Sequence, residues 1–307
     1  MTLRKAPIGK TMSIYYCSTQ SSKKFTAFSL PHFSLINKAI ILLFAFLAFG
    51  IFHLRADDSH EKPIVIIIPS YNNKNWCHRN LDSILNQKYE HFRAIYLDDA
   101  STDGTGDLVR EYLKENDPEH IVTLIRNDEN VGPVGNIYRG VWMCHPFEIV
   151  VIVDGDDWLS HEYVLQTVNE VYSDPDVWMT YGQFIEYPSG NRGGAAQVPK
   201  EIIQKNLFRE YDWCTTHLRT FYAGLFQKIK KDDLLYEGKF FPVTGDLAST
   251  FPMLEMAGFH SRFIPEILYV YNVATQLNER KLYLEKQIYI ETVIRAKKRY
   301  APIEKPY

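Results

Sequence analysis

Hydrophobic positions in this chain follow two regimes: one long apolar run near the start, then short apolar runs alternating with amphipathic stretches from Lys62 onward. Pro63-Ile-Val-Ile-Ile-Ile-Pro69 is continuous and β-branched, as expected of a parallel strand covered on both faces. Trp76 to Asn86 then reads as a helix, with Leu81, Ile84 and Leu85 on one side. His91 to Leu97 reads as a second strand running into Asp98-Asp99, and Ser101 to Gly106 is turn and cap chemistry that opens a helix over Asp107 to Asn116. The alternation continues with a strand at Ile121–Ile125, a helix at Val134–Met143, and a strand at Glu148–Val153 that leads into Asp154. A helix at Glu162–Tyr172 and a strand at Val177–Phe184 follow, and later helices are expected over Leu247–Met256 and Leu277–Arg299. Lys297-Lys298-Arg299 suits the dipole at the end of the last helix.

Strand–helix alternation at this spacing predicts βαβ units and an α/β fold with a mostly parallel sheet flanked by helices. Ligands of such sheets bind beyond the carboxyl ends of the strands. Three polar clusters fall there: Ser70-Tyr71-Asn72, Asp98-Asp99, and Asp154 to Asp157. Neither a G-x-G-x-x-G fingerprint nor a P-loop is present.

The early apolar run is Ala39 to Phe52, continued by His53 and Leu54. The 38 residues before it hold Arg4, Lys5, Lys10, Lys23, Lys24 and Lys38 and no acid, while Asp57, Asp58 and Glu61 follow it. Basic before and acidic after is the pattern of a segment inserted with its N-terminus in the cytoplasm. The run is shorter than the ~20 residues of a spanning helix. It reaches that length if Phe33 to Asn37 join it and Lys38 snorkels. Single-pass membrane anchorage near the N-terminus is the expectation, with a cleaved signal peptide as the alternative. The organisation is then a basic leader (1–38), a hydrophobic segment (39–54), a linker (55–62), a catalytic domain (63–275, its halves 63–183 and 184–275) and a C-terminal helix and tail (276–307).

Charge narrows the classes further. A net charge of −3 over 307 residues gives no basic footprint, so nucleic acid is excluded as partner. Cys17, Cys77, Cys144 and Cys214 have no metal-knuckle or redox spacing. An Asp-x-Asp at a strand end, with the small Gly155 between, lets two carboxylates face one hard cation such as Mg²⁺ or Mn²⁺.

Ile64-Val-Ile-Ile-Ile-Pro-Ser-Tyr-Asn72, Ser83-Ile-Leu-Asn-Gln87, Leu97-Asp-Asp-Ala-Ser-Thr-Asp103, Asn130-Val-Gly132 with Asn136, and Val153-Asp-Gly-Asp-Asp-Trp158 occur in order at ordinary spacing. Together they resemble family 2 glycosyltransferases of the Rossmann-like GT-A fold, over about Pro63 to Gln183 and less sharply through Pro242 to Tyr271. The resemblance implies inverting, metal-dependent transfer from a nucleotide-sugar donor, UDP-linked in the usual case, to a carbohydrate, lipid-linked or protein acceptor. On that reading Asp98 and Asp99 read the base, with Ser101 to Asp103 supporting them, and Pro69, Tyr71 and Asn72 form the floor and edge of the same pocket. Asp154 contacts ribose or metal, Asp156 is the main metal ligand, and Trp158 walls the sugar pocket. Asp246, in Pro242-Val-Thr-Gly-Asp246, corresponds to the general base, the alternative being a helix N-cap, with Glu255 further along the same stretch as a substitute. Apart from the resemblance, the position of His217 and Arg219 between the donor half and Asp246 leaves two readings open, binding phosphate or orienting the acceptor, and structural packing.

Gly135 stands before Asn136 where many members carry Arg, which removes one phosphate contact, and no Gln-x-x-Arg-Trp of processive synthases is present. Single addition is therefore expected. A nucleotidyltransferase and an inactive sugar- or nucleotide-binding protein are the competing classes. The first expects a Gly-rich loop after the first strand, where Pro69-Ser-Tyr-Asn-Asn-Lys74 stands, and the second expects loss of Asp156 or Asp246, both of which are present.

Overall fold

The computed structural model describes residues 61–275 and 284–307. The leader, the hydrophobic segment, nearly all of the linker and the start of the expected last helix lie outside them. Among the described residues no helix is long and apolar enough to cross a membrane.

Residues Ile64–Ser70 form β1, and every one of them is buried, as the unbroken apolar run requires. Helix α1 (Cys77–Leu85) follows, then β2 (Phe92–Asp98), α2 (Thr105–Asn116), β3 (Val122–Arg126), α3 (Gly132–Val141) and β4 (Ile149–Ile152). Next come β5 (Trp158–Leu159), α4 (Val164–Val171), β6 (Met179–Tyr187), α5 (Lys200–Gln204), β7 (Thr220–Tyr222) and α6 (Ala223–Gln227). A small hairpin, β8 (Leu235–Tyr236) with β9 (Lys239–Phe240), precedes α7 (Gly245–Ala257), β10 (Ser261–Asn272) and α8 (Leu284–Ala296).

Eight strands make one sheet in the order β3-β2-β1-β4-β7-β6-β10-β5. The first four are parallel, with Ile67 of β1 level with Ile95 of β2 and Ile152 of β4. The rest of the sheet is mixed. β7 runs antiparallel to both β4 and β6, β6 and β10 are parallel, and β5 is antiparallel to β10. The expectation of a mostly parallel sheet thus describes the half built from βαβ units. The structure as a whole is a mixed α/β fold in which the second half of the chain extends the same sheet through the three-residue β7.

Candidate functional site

The carboxyl ends of β1, β2 and β4 open into a cavity of about 1120 Å³, closed on its other side by the start of α7 and the exposed face of α8. Pro69, Tyr71, Asp99, Asp154, Asp156 and Asp246 all line it, so most of the residues singled out in the sequence come together. Asn72 and Asp98 are not among the lining residues.

The acidic loop after β4 is held from three directions. The Gly155 amide donates to the Pro69 carbonyl at 2.9 Å. That approach is so close that a Cβ on Gly155 would lie 2.5 Å from Ser70 Oγ. The Asn80 side-chain amide donates to the carbonyls of Asp154 and Asp157, at 3.0 and 2.8 Å. From β10, the Tyr269 hydroxyl and the Asn272 amide donate to the buried Asp157 carboxylate at 2.6 and 2.7 Å. The Asn272 side chain also donates to the Asp156 carbonyl at 3.0 Å.

Asp157 is consequently a structural acid, and burial with the nearby charges of Asp156 and Asp154 raises its carboxyl well above the usual carboxylate range. Asp154 is raised as well, by burial and by Asp246, with Arg219 opposing. Tyr269, Asn272 and Asn80 are functional supports that the sequence reading did not name. Tyr269 and Asn272 reach the loop from β10, which pairs with β5, and Asn80 reaches it from α1, so no local pattern marks them.

Asp98 and Asp99 separate sharply. The Asp98 carboxylate turns under the sheet edge, 3.3 Å from Arg126 Nε, and accepts the Ser101 amide at 3.2 Å. Asp99 faces the cavity and gathers the loop before α3, accepting the Asn127 side-chain amide at 2.7 Å and the backbone amides of Val131 and Gly132, both at 2.9 Å. Asn72 braces the neighbouring turn by accepting the Thr102 amide at 2.8 Å. Asp103, just before α2, accepts the Thr105 amide at 2.9 Å and the Lys74 amide at 3.0 Å. Trp158 lies outside the cavity lining, packed instead against Trp76 and beneath the Arg79 guanidinium, 3.7 Å from its ring.

Asp246 stands in the first turn of α7 with Oδ2 3.4 Å from Arg219 Nη1. Glu255, from the same helix, points elsewhere. It is fully buried, bridged to Arg209 with Nη2 to Oε2 at 2.9 Å, and accepts the Tyr300 amide at 2.9 Å, so it braces the C-terminal segment. His217 lines the cavity with its ring stacked on Tyr269 at 4.6 Å. Burial and then the charge of Arg219 lower its pKa well below the ordinary histidine value, so it is a neutral wall at neutral pH rather than a phosphate-binding cation.

Eight carboxylates line the cavity against three Arg or Lys side chains, Arg192, Arg219 and Lys239. This set fits a hard divalent cation. Among the described residues no three His, Cys, Asp or Glu form a cage of their own. The fit is that of an ion held by one or two carboxylates, its shell completed by phosphate oxygens and water.

The model of the glycosyl transferase family 2 matches residues 65–232. The glycosyltransferase GlyA of Streptococcus pneumoniae serotype 4 is 32% identical over 104 residues, covering 34% of this chain and 14% of that protein. The poly(ribitol-phosphate) beta-glucosyltransferase of Bacillus spizizenii is 32% identical over 108 residues, covering 34% of this chain and 17% of that protein. The chain therefore spans only a small part of the length of these relatives. Among solved structures, the mannosyltransferase PcManGT from Pyrobaculum calidifontis, in complex with GDP-Man and Mn²⁺, superposes with a TM-score of 0.54 at 19% identity, over 86% of this chain and 74% of that one. Staphylococcus aureus TarS 1-349, in complex with UDP-GlcNAc, gives 0.53 at 15% identity over 76% and 66%. These two share its fold. With the family match extending over more than half of its length, the chain belongs to glycosyl transferase family 2.

Proposed function

We propose that the protein is an inverting, metal-assisted glycosyltransferase of GT-A fold that moves one sugar per encounter from a nucleotide-sugar donor, UDP-linked, to an acceptor hydroxyl. The observation that carries this reading is the convergence in one cavity of the Asp99 loop, the Asp154–Asp156 pair and the Asp246–Arg219 pair. The nucleotide would lie along Pro69, Tyr71 and the Asp99 loop. Asp156 and Asp154 would hold Mg²⁺ or Mn²⁺, whose contribution when bound is to neutralise the diphosphate. Asp246 takes the proton of the acceptor hydroxyl. The freed oxygen then bonds to the anomeric carbon on the face opposite the nucleoside diphosphate, and the carbon–phosphate-oxygen bond breaks with its electron pair on the leaving group. Arg219 fixes the direction of the Asp246 carboxylate, and neutral His217 with Tyr271 walls the space beside it.

Relatives with a bound UDP-sugar in one case and a GDP-sugar with Mn²⁺ in the other support the donor class and the ion. We place the protein at a membrane through residues 39–54, on the strength of the basic leader and acidic flank. A screen of donor hydrolysis over UDP-, GDP- and CDP-sugars, with and without Mn²⁺, tests the chemistry. Hydrolysis of one UDP-sugar is expected, abolished by EDTA and by Asp156→Ala. Asp246→Asn is expected to leave nucleotide affinity unchanged while lowering transfer at least about 100-fold. Metal-independent turnover, or full activity in Asp246→Asn, would overturn the assignment.

A further inference from the structure

The end of the sheet opposite the cavity carries a feature that the transferase reading does not use. The turn between α3 and β4 presents Trp142, Met143 and Phe147 to solvent, 54, 46 and 50% exposed. Tyr307 is 48% exposed, and it and Pro306 close with Pro146 around Gly224. Large side chains this open, grouped on one turn and the segment packed against it, mark a contact surface. Its rim is basic. Lys228 is exposed and follows Gln227, whose amide donates to the carbonyls of Val141 and Cys144. Lys305 is exposed beside Pro306. Glu148 is buried and neutralised by Arg93, with Nη2 to Oε2 at 3.0 Å.

The chain enters the fold at this same edge. Ile149 donates its amide to the Pro63 carbonyl, and Ile64 is level with Ile149, two residues beyond Phe147. The apolar run ends at Phe52, ten residues before Lys62. A fully extended chain of that length spans at most about 35 Å. Trp, Tyr and Phe beside exposed Lys are the side chains of a protein resting at the water–lipid boundary, and the Lys side chains are drawn to anionic lipid wherever the facing leaflet carries it.

From these observations we infer that Trp142, Met143, Phe147 and Tyr307, rimmed by Lys228 and Lys305, form a second membrane contact that seats the domain on an anionic phospholipid surface. The inference rests on the membrane placement proposed above. It turns the donor cavity, at the other end of the strands, away from the bilayer, so the acceptor hydroxyl is one that extends from the surface.

The test uses the full chain with vesicles of brominated phosphatidylcholine, alone or mixed with brominated phosphatidylglycerol. Tryptophan fluorescence is compared between the wild type and Trp142→Phe. Quenching by the anionic vesicles is expected to fall at least twofold in Trp142→Phe. In a Met143→Ser/Phe147→Ser double variant, quenching of Trp142 is expected to weaken too. Equal quenching with and without Trp142, or Trp142 quenching no stronger with anionic than with neutral vesicles, overturns the proposal. So does a Trp142-dependent dimer in sedimentation without vesicles, which assigns the patch to a second copy. Melting curves verify folding of each variant. Donor turnover in detergent is expected to be unchanged by these substitutions, so failure of the membrane contact and failure of the transferase reading are separately visible.

Discussion

Asp99→Asn separates two roles that this carboxylate combines. It accepts three hydrogen bonds from the loop before α3, from the Asn127 side chain and the amides of Val131 and Gly132. An asparagine has one acceptor oxygen, so its NH₂ must confront at least one of these donors. The variant loses one or more bonds to an ionised acceptor, worth about 1.5–3 kcal/mol each, and leaves an N–H unpaired. For a domain of this size each kcal/mol moves the melting midpoint by about 2–4 °C. A drop of about 5–10 °C is expected in calorimetry. Affinities for UDP and CDP, measured by titration below the transition, then tell the roles apart. If Asp99 also accepts a base N–H, the preference for UDP over CDP narrows, because only uracil offers that proton at its N3. If Asp99 is a brace alone, both affinities fall by the same factor. A melting midpoint within about 1 °C of wild type refutes the bracing argument.

Three further substitutions probe the frame. Gly155→Ala places a methyl 2.5 Å from Ser70 Oγ, so the acidic loop must shift; a displacement of this order costs about 100-fold in turnover, and wild-type kcat in a folded variant contradicts the reading. His217 is held neutral by burial and by Arg219. Its unfolded form gains a proton below about pH 6.5 while the folded form does not, so stability falls as pH drops through that window, by up to about 1.4 kcal/mol per unit. In His217→Phe that part of the slope is expected to vanish between urea titrations at pH 7.5 and 5.5, and an unchanged slope rejects the assignment. Glu255→Gln strips the charge from a fully buried pair with Arg209 and is expected to cost about 3–5 kcal/mol in denaturant titration without altering nucleotide affinity; a loss under about 1 kcal/mol is the contrary result.

The first half of the sheet is legible in the sequence because its strands are covered on both faces, so Ile64 to Ile68 and Ile149 to Ile152 are unbroken apolar runs. Strand β7 is not legible. Three residues carry no periodicity, yet they reverse direction and join the two halves of the sheet. The acids at strand ends were readable as a group, because a position at a strand end is a local property. Their division of labour was not. Successive side chains leave a strand on opposite faces. Adjacent Asp98 and Asp99 therefore go to different neighbours, one to Arg126 beneath the edge and one into the cavity. Asp157 likewise takes partners, Tyr269 and Asn272, more than a hundred positions away, and no spacing rule connects them.

The electrostatics of the cavity bear on the proposal that a cation takes part in the chemistry. Burial raises both Asp154 and Asp157, with Asp246 adding to the first and Asp156 and Asp154 to the second, so ionising this group of acids already costs free energy. Three cations, Arg192, Arg219 and Lys239, face eight carboxylates in the wall. His217 is neutral, and Arg219, the cation beside the acids, is shared between Asp246 at 3.4 Å and the field of Asp154. A nucleoside diphosphate brings further negative charge into the same space. Under the proposed function, a divalent ion held by Asp154 and Asp156 would supply positive charge to offset it, alongside Arg192, Arg219 and Lys239 in the wall. By linkage, donor and ion then each raise the affinity for the other. On that proposal the acidic wall would favour a metal-bound diphosphate over a free one, while Arg219 stays paired with Asp246.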